Sequence, residues 1–66
     1  MSIKATIRID DDRWAKHPFG VEFDDDECNK KYKRNGLNGW DECYHIIDIA
    51  KRAGYDIDEN VNTIYY

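Results

Sequence analysis

The chain opens with apolar and polar side chains in strict alternation. The apolar members of this alternation are Ile3, Ala5, Ile7 and Ile9. A period of two predicts a half-buried strand over about residues 2–9. A shorter alternation predicts a second strand over residues 19–23, and the connection is long enough for the two strands to pair antiparallel. Within that connection, residues 12–17 can form one helical turn, which Pro18 would end.

The first helix is predicted from residue 24 to residue 34. Asp24 and Glu27 have the spacing of a capping box, with Asp in the Ser/Thr position. Acidic residues then fill the first turn and basic residues the last turns, which complements the helix dipole. The Asn35-Gly36 pair supplies a stop signal, and residues 36–39 form a break rich in Gly and Asn.

A second helix is predicted over residues 40–53. Its apolar positions cover more than half of the helical circumference: Trp40, Cys43, Tyr44, Ile46, Ile47, Ile49, Ala50 and Ala53. So wide an apolar surface indicates a central helix that packs on more than one side. His45 belongs to the narrow polar stripe opposite, and Gly54 is placed to end the helix in a left-handed conformation, with Tyr55 able to fold back onto it.

The last residues, 61–66, mix β-branched and aromatic side chains and predict a terminal strand. The pattern leaves open whether Val61, Thr63 and Tyr65 or Asn62, Ile64 and Tyr66 face the core. We therefore expect one α+β domain over residues 1–66, with element order ββααβ. Its sheet has three strands, mainly antiparallel, and both helices cover one face of that sheet.

Length and composition narrow the class of protein. The chain has 66 residues, 36% of them charged and 41% apolar, with nine aromatic residues and a net charge of −4. Its longest strictly apolar runs are pairs of residues, too short for a membrane span. The first residues contain no apolar stretch of the kind found in secretory signals. These features predict a small cytoplasmic protein with no room for a large cofactor, and we expect no cofactor and a monomer.

Candidate catalytic and metal-binding residues are few. Cys28 and Cys43 are expected as buried reduced thiols, with a disulfide or a thiol or metal site as the alternatives. Cys43 and His45 lie two apart, so a helix directs their side chains to opposite sides. The Cys and His spacings match no zinc motif. The run that starts at Asp56 resembles a calcium loop but has Val61 at the required glycine. We expect neither an enzyme nor a metal site.

The acidic residues are the main candidate for binding. Residues 1–36 are neutral overall and residues 37–66 carry the charge of −4. Asp10, Asp11 and Asp12 place three carboxylates side by side. One Asp is sufficient for a turn, and three adjacent carboxylates repel one another, so a turn alone does not account for this cluster. The candidate partner-binding residues are Asp10, Asp11, Asp12, Glu22, Asp24, Asp25, Asp26, Glu27, Asp56, Asp58 and Glu59. Such carboxylates can imitate a nucleic-acid backbone and occupy a basic protein surface.

The basic residues suggest an opposite function. Lys30, Lys31, Lys33 and Arg34 surround Tyr32 at the end of the first helix. Basic residues beside an aromatic ring can hold a phosphate backbone and stack a base. The alternative is thus a small regulatory protein that contacts nucleic acid through residues 30–34.

The short acidic chain, with its clusters at residues 10–12 and 24–27, resembles the small anti-CRISPR proteins of phages that mimic DNA. Within that group it is similar to inhibitors of type I surveillance complexes. The resemblance implies an inhibitor without turnover in a bacterial host cell. Its carboxylates would occupy the Lys and Arg sites with which a DNA-binding subunit of the CRISPR effector, or a similar basic protein, holds target DNA.

Overall fold

The computed structural model describes residues 2–10 and 18–65. Six elements follow in chain order: β1 (Ala5–Ile9), β2 (Phe19–Phe23), α1 (Asp26–Tyr32), β3 (Arg34–Leu37), α2 (Trp40–Arg52) and β4 (Asn62–Tyr65). The helical turn predicted at residues 12–17 and the site residues Asp11 and Asp12 lie outside the described residues, as does Tyr66. The α+β class is confirmed, but the order is ββαβαβ rather than ββααβ.

The sheet is mixed and has four strands in the order β3-β2-β1-β4. β1 pairs antiparallel with β2 and parallel with β4, while β3 pairs antiparallel with β2. The prediction of three strands was therefore wrong. The missing strand is β3, which occupies the segment predicted as a helix end followed by a break.

β3 forms because β2 offers it a partner, and its own sequence carries no strand pattern. The register shifts between the pairs Phe19–Leu37 and Val21–Arg34. Gly20 lies within this shift, and a Cβ atom there would lie 3.0 Å from Asn35 Oδ1 and 3.2 Å from the carbonyl oxygen of Arg34. The absence of a side chain at residue 20 thus lets β3 approach closely.

The core lies on one face of the sheet. Ala5, Ile7, Val21 and Phe23 are buried there together with residues of both helices and Ile57. The helical members of this cluster are Cys28, Cys43, Ile47 and Ala50. Both helices consequently cover the same face, as expected, and no polar or charged residue of the described chain is buried.

β4 extends the sheet beyond the helices. Thr63 pairs with Ile7 and Tyr65 with Ile9, so both lie on the face that carries the core. Asn62 and Ile64 lie on the opposite face, which answers the question that the sequence left open. All four residues of β4 are nevertheless exposed, because the helices contact β2 and β3 and leave this strand uncovered.

α1 begins two residues later than predicted and ends two residues earlier. Asp25, not Asp24, is its N-cap, and one carboxylate oxygen accepts a hydrogen bond from the N–H of Cys28 at 2.9 Å. The Asp24 carboxylate instead accepts a hydrogen bond from the N–H of Lys4, which precedes β1. Arg34 is not part of the helix, because it belongs to β3 and its backbone pairs with Val21 of β2.

α2 has the predicted start, and its last helical residue is Arg52. Its end has the expected form: Gly54 has φ +104°, its N–H bonds to the carbonyl of Lys51, and the N–H of Tyr55 bonds to that of Ala50. α2 packs on more than one side, against the sheet and against α1, as expected. Trp40, Tyr44 and Ile49 nevertheless stay exposed, because these two surfaces do not cover the full circumference of the helix.

α1 has seven residues and α2 has 13, and neither is long and apolar enough to cross a bilayer.

Candidate functional site

Two acidic segments flank the start of β1 at one end of the sheet. Ile3 and Lys4, which precede β1, hold them on opposite sides. The N–H of Ile3 donates to the carbonyl of Asp56 at 2.7 Å, and its carbonyl accepts from the N–H of Asp58 at 2.8 Å. The N–H of Lys4 donates to the Asp24 carboxylate at 2.9 Å, and its carbonyl accepts from the Asp24 N–H at 3.0 Å.

These bonds define a cluster that we call the acidic end. Its members are Asp24, Asp25, Asp26, Glu27, Asp56, Asp58 and Glu59. Seven of the eleven predicted binding residues therefore belong to the two segments beside Ile3 and Lys4, although residues 27 and 56 are far apart in the chain. No local signal in the sequence marks Ile3 and Lys4 as the residues that join the two segments, since their role depends on long-range hydrogen bonds of their backbone groups.

Some members of the acidic end also have structural roles. Asp24 ends β2, Asp25 caps α1, and Asp58 accepts a hydrogen bond from the N–H of Asn60 at 2.9 Å. Asp26 and Glu27 occupy the first turn of α1, where the helix dipole favours negative charge. Asp56 contributes its backbone to the pairing with Ile3. Its exposed carboxylate remains available to a partner along with those of Asp26 and Glu59.

Glu27 links the acidic end to the junction of the two helices. Its Oε1 lies 3.4 Å from Lys31 Nζ and 3.4 Å from the Tyr55 hydroxyl. The Lys31 ammonium also lies 5.9 Å from the centre of the Tyr55 ring. Contact with Tyr55, and secondly with Glu27, raises the pKa of Lys31. One of the seven carboxylates therefore has a nearby countercharge.

The remaining described site residues lie elsewhere. Asp10 follows β1 at the opposite end of the sheet, where its N–H donates to the Pro18 carbonyl. Six residues of extended chain separate it from Lys4, or roughly 20 Å at about 3.4 Å per residue. Glu22 lies on the face away from the helices and pairs with Arg8 at 3.1 Å. The structure does not join Asp10 or Glu22 to the acidic end.

The basic segment proposed for nucleic acid is divided by the fold. Lys30 and Lys31 end α1, whereas Arg34 begins β3. The Arg34 guanidinium donates to the carbonyls of Lys33, at 2.8 Å, and Lys31, at 3.4 Å. Tyr32 packs against the core and makes an edge contact with the Tyr55 ring, with 5.7 Å between centres. This segment presents no exposed aromatic face on which a base could stack.

The two cysteines are free thiols buried in the core. Burial, followed by the charges of Asp25, Asp24 and Glu27, raises the pKa of Cys28. Burial, followed by the charge of Glu42, raises the pKa of Cys43. Both thiols are thereby kept protonated, which disfavours nucleophilic chemistry. Within residues 2–10 and 18–65, no three His, Cys, Asp or Glu side chains are grouped to hold a metal ion.

Raised thiol pKa values predict a loss of stability in alkali. The folded state binds these protons more tightly, so the contribution is complete below the ordinary thiol pKa of 9.0 and is lost as the pH rises through the folded values. We expect the free energy of unfolding to fall between pH 7 and pH 10, as measured by urea denaturation under reducing conditions. The Cys28→Ala/Cys43→Ala variant should lose less over the same interval, and an equal loss would contradict this account.

The arrangement thus offers a carboxylate surface that can bind cations or a basic macromolecule, without a grouped nucleophile or a metal site among the described residues. In comparisons with protein-family models, curated proteins and solved structures, the chain has no significant match.

Proposed function

We propose that the chain is a non-enzymatic inhibitor that occupies a positively charged nucleic-acid-binding site on another protein. The acidic end is the inhibitory surface. The observation that supports it is the convergence of two distant acidic segments on Ile3 and Lys4. Carboxylates gathered in this way produce a stronger local field than the net charge of −4 alone would suggest.

The chemistry of the surface indicates the class of partner. Exposed carboxylates accept hydrogen bonds and attract ammonium and guanidinium groups, as phosphates do. Asp56 and Glu59 come from one segment and Asp26 from the other, so the charges extend over an area that more than one basic side chain can contact. Such a surface suits a protein groove lined with Lys and Arg that otherwise holds DNA.

A CRISPR effector is the partner that we propose, on the basis of the resemblance to DNA-mimicking inhibitors. The DNA-binding subunit of a type I surveillance complex is the specific candidate, and a similar basic protein of host defence is the broader one. Inhibition would be steric and electrostatic, since the carboxylates fill the sites for target DNA and no bond is made or broken.

A pair of charge-reversal variants tests this function. Asp56→Lys/Glu59→Lys changes the acidic end, whereas Asp41→Lys/Asp48→Lys changes exposed carboxylates on α2. Each variant raises the net charge from −4 to 0, because each substitution adds two charges. The variants therefore differ in the position of the change and not in its size.

We expect the acidic-end variant to bind the partner about tenfold more weakly or worse, because lost attraction is replaced by repulsion at two positions. Tagged chains would be incubated with a purified type I surveillance complex at low and high salt, and with competing duplex DNA. The α2 variant should bind like the wild type. Equal weakening of both variants, or binding that duplex DNA does not displace, would contradict the proposal.

A further inference from the structure

The outer edge of β4 is open. β4 is the last strand of the sheet, and among the described residues β1 is its sole partner. Its outward backbone groups are thus free to pair with another strand. A row of unpaired N–H and C=O groups at a sheet edge is a template for strand addition.

The opposite edge of the same sheet is formed by β3 and is protected against strand addition. β3 carries Arg34, a register shift against β2, and Gly36 at φ +73°. Charge, irregular pairing and glycine all discourage strand addition. β4 has none of these features. Its residues and the preceding Val61 carry no charge, proline or glycine, and its four residue pairs with β1 are in regular register.

The side chains of β4 are also exposed on both faces. Tyr65 is 67% exposed on the face of the helices, and Ile64 is 41% exposed on the other face. The helix layer does not reach this strand, so its apolar atoms meet solvent. A strand added at the edge would cover Ile64 on one face and Tyr65 on the other, and burial of that apolar area favours association.

We propose that the β4 edge binds a second copy of this chain, as an antiparallel strand pair about a two-fold axis. The chain has a net charge of −4, so two copies repel each other in most relative orientations. Residues 61–65 form an uncharged segment at which the copies can meet without facing like charges. The joined sheet would have eight strands, with all four helices on one face.

The register of this pair follows from symmetry. Opposite residues of an antiparallel pair share a face, so a two-fold axis at Thr63 pairs Val61 with the second copy's Tyr65 and Asn62 with its Ile64. Thr63 then lies beside its own symmetry equivalent. Asp58 and Glu59 fall outside the paired segment, at opposite ends of the joined strands, which keeps the acidic ends of the two copies apart.

A charge-swap experiment at Thr63 tests the dimer. Thr63 is exposed, so Thr63→Lys and Thr63→Glu should each leave the monomer folded. Either substitution places two like charges side by side at the axis, whereas a mixture of the two variants places opposite charges there. We expect the molecular mass of the wild type, measured by sedimentation, to approach that of the dimer as the protein concentration rises through the micromolar range. Each variant alone should remain monomeric, and their equimolar mixture should form a heterodimer.

Ile49→Lys is the matched control, because Ile49, like Thr63, is exposed but lies on α2. That variant should dimerise like the wild type. A wild-type chain that stays monomeric throughout the range would overturn the proposal, and so would a mixture that fails to associate. Circular dichroism of each variant establishes that the fold is retained. None of these results depends on the acidic end, so the inhibitor function and the dimer can fail independently.

Discussion

Ile7→Ala is expected to destabilise the chain by about 2–5 kcal/mol, the usual cost when a fully buried Ile is truncated and a cavity remains. Ile7 lies at the centre of β1, is fully buried, and pairs with Val21 on one side and Thr63 on the other. A domain of 66 residues has a total stability of roughly 3–10 kcal/mol. Urea denaturation followed by circular dichroism should therefore show that the variant loses a large share of its stability, with the unfolding midpoint shifted to a much lower urea concentration.

Ile64→Ala provides the comparison for that measurement. Ile64 lies in β4 on the face without helices and is 41% exposed, so its truncation leaves no cavity. We expect a loss of less than about 1 kcal/mol, within the range of exposed substitutions. Similar losses at Ile7 and Ile64 would mean that the core does not lie on the assigned face of the sheet.

The second large effect is expected at Gly54, which ends α2. Its φ of +104° is in a region that a residue with a Cβ atom adopts at a cost of about 1–2 kcal/mol. No neighbouring atom lies within 4 Å of a Cβ built there, so the cost of Gly54→Ser arises from the backbone and not from a clash. Thermal and urea denaturation should both show the destabilisation.

The same substitution at the other end of α2 should have the opposite result. Gly39 is the N-cap, its backbone is extended, and no side chain caps the helix there. A serine hydroxyl at residue 39 can accept a hydrogen bond from the first turn, so Gly39→Ser should be neutral or stabilising by roughly a few tenths of a kcal/mol. Equal destabilisation by Gly39→Ser and Gly54→Ser would contradict the assignment of the two helix ends.

Local sequence pattern was sufficient for the elements that carry their own signal. The alternation around Ile7 correctly predicted β1, because a strand with one buried face must alternate. α2 was predicted with nearly its observed ends, since Gly39 and Gly54 bracket a long apolar repeat. The Asp-rich start of α1 was also recognised, although the cap is Asp25 and not Asp24.

The candidate site could be predicted as a set of residues but not as a surface. Acidic composition singled out Asp24–Glu27 and Asp56–Glu59, because charge is visible in the sequence. Their proximity depends on hydrogen bonds from Ile3 and Lys4 to residues far along the chain. Asp10 follows β1 and therefore lies at the other end of the sheet. This separation cannot be read from the number of acidic residues.

Tertiary structure decided the features that require a partner element. β3 becomes a strand because β2 presents an edge and Gly20 permits close approach, which overrides the turn propensity of Asn35 and Gly36. The parallel pairing of β4 with β1 sets the face on which Thr63 and Ile64 lie. Periodicity reports which face of one element is apolar. Burial depends on how far the neighbouring elements extend, and here the helices stop short of β4.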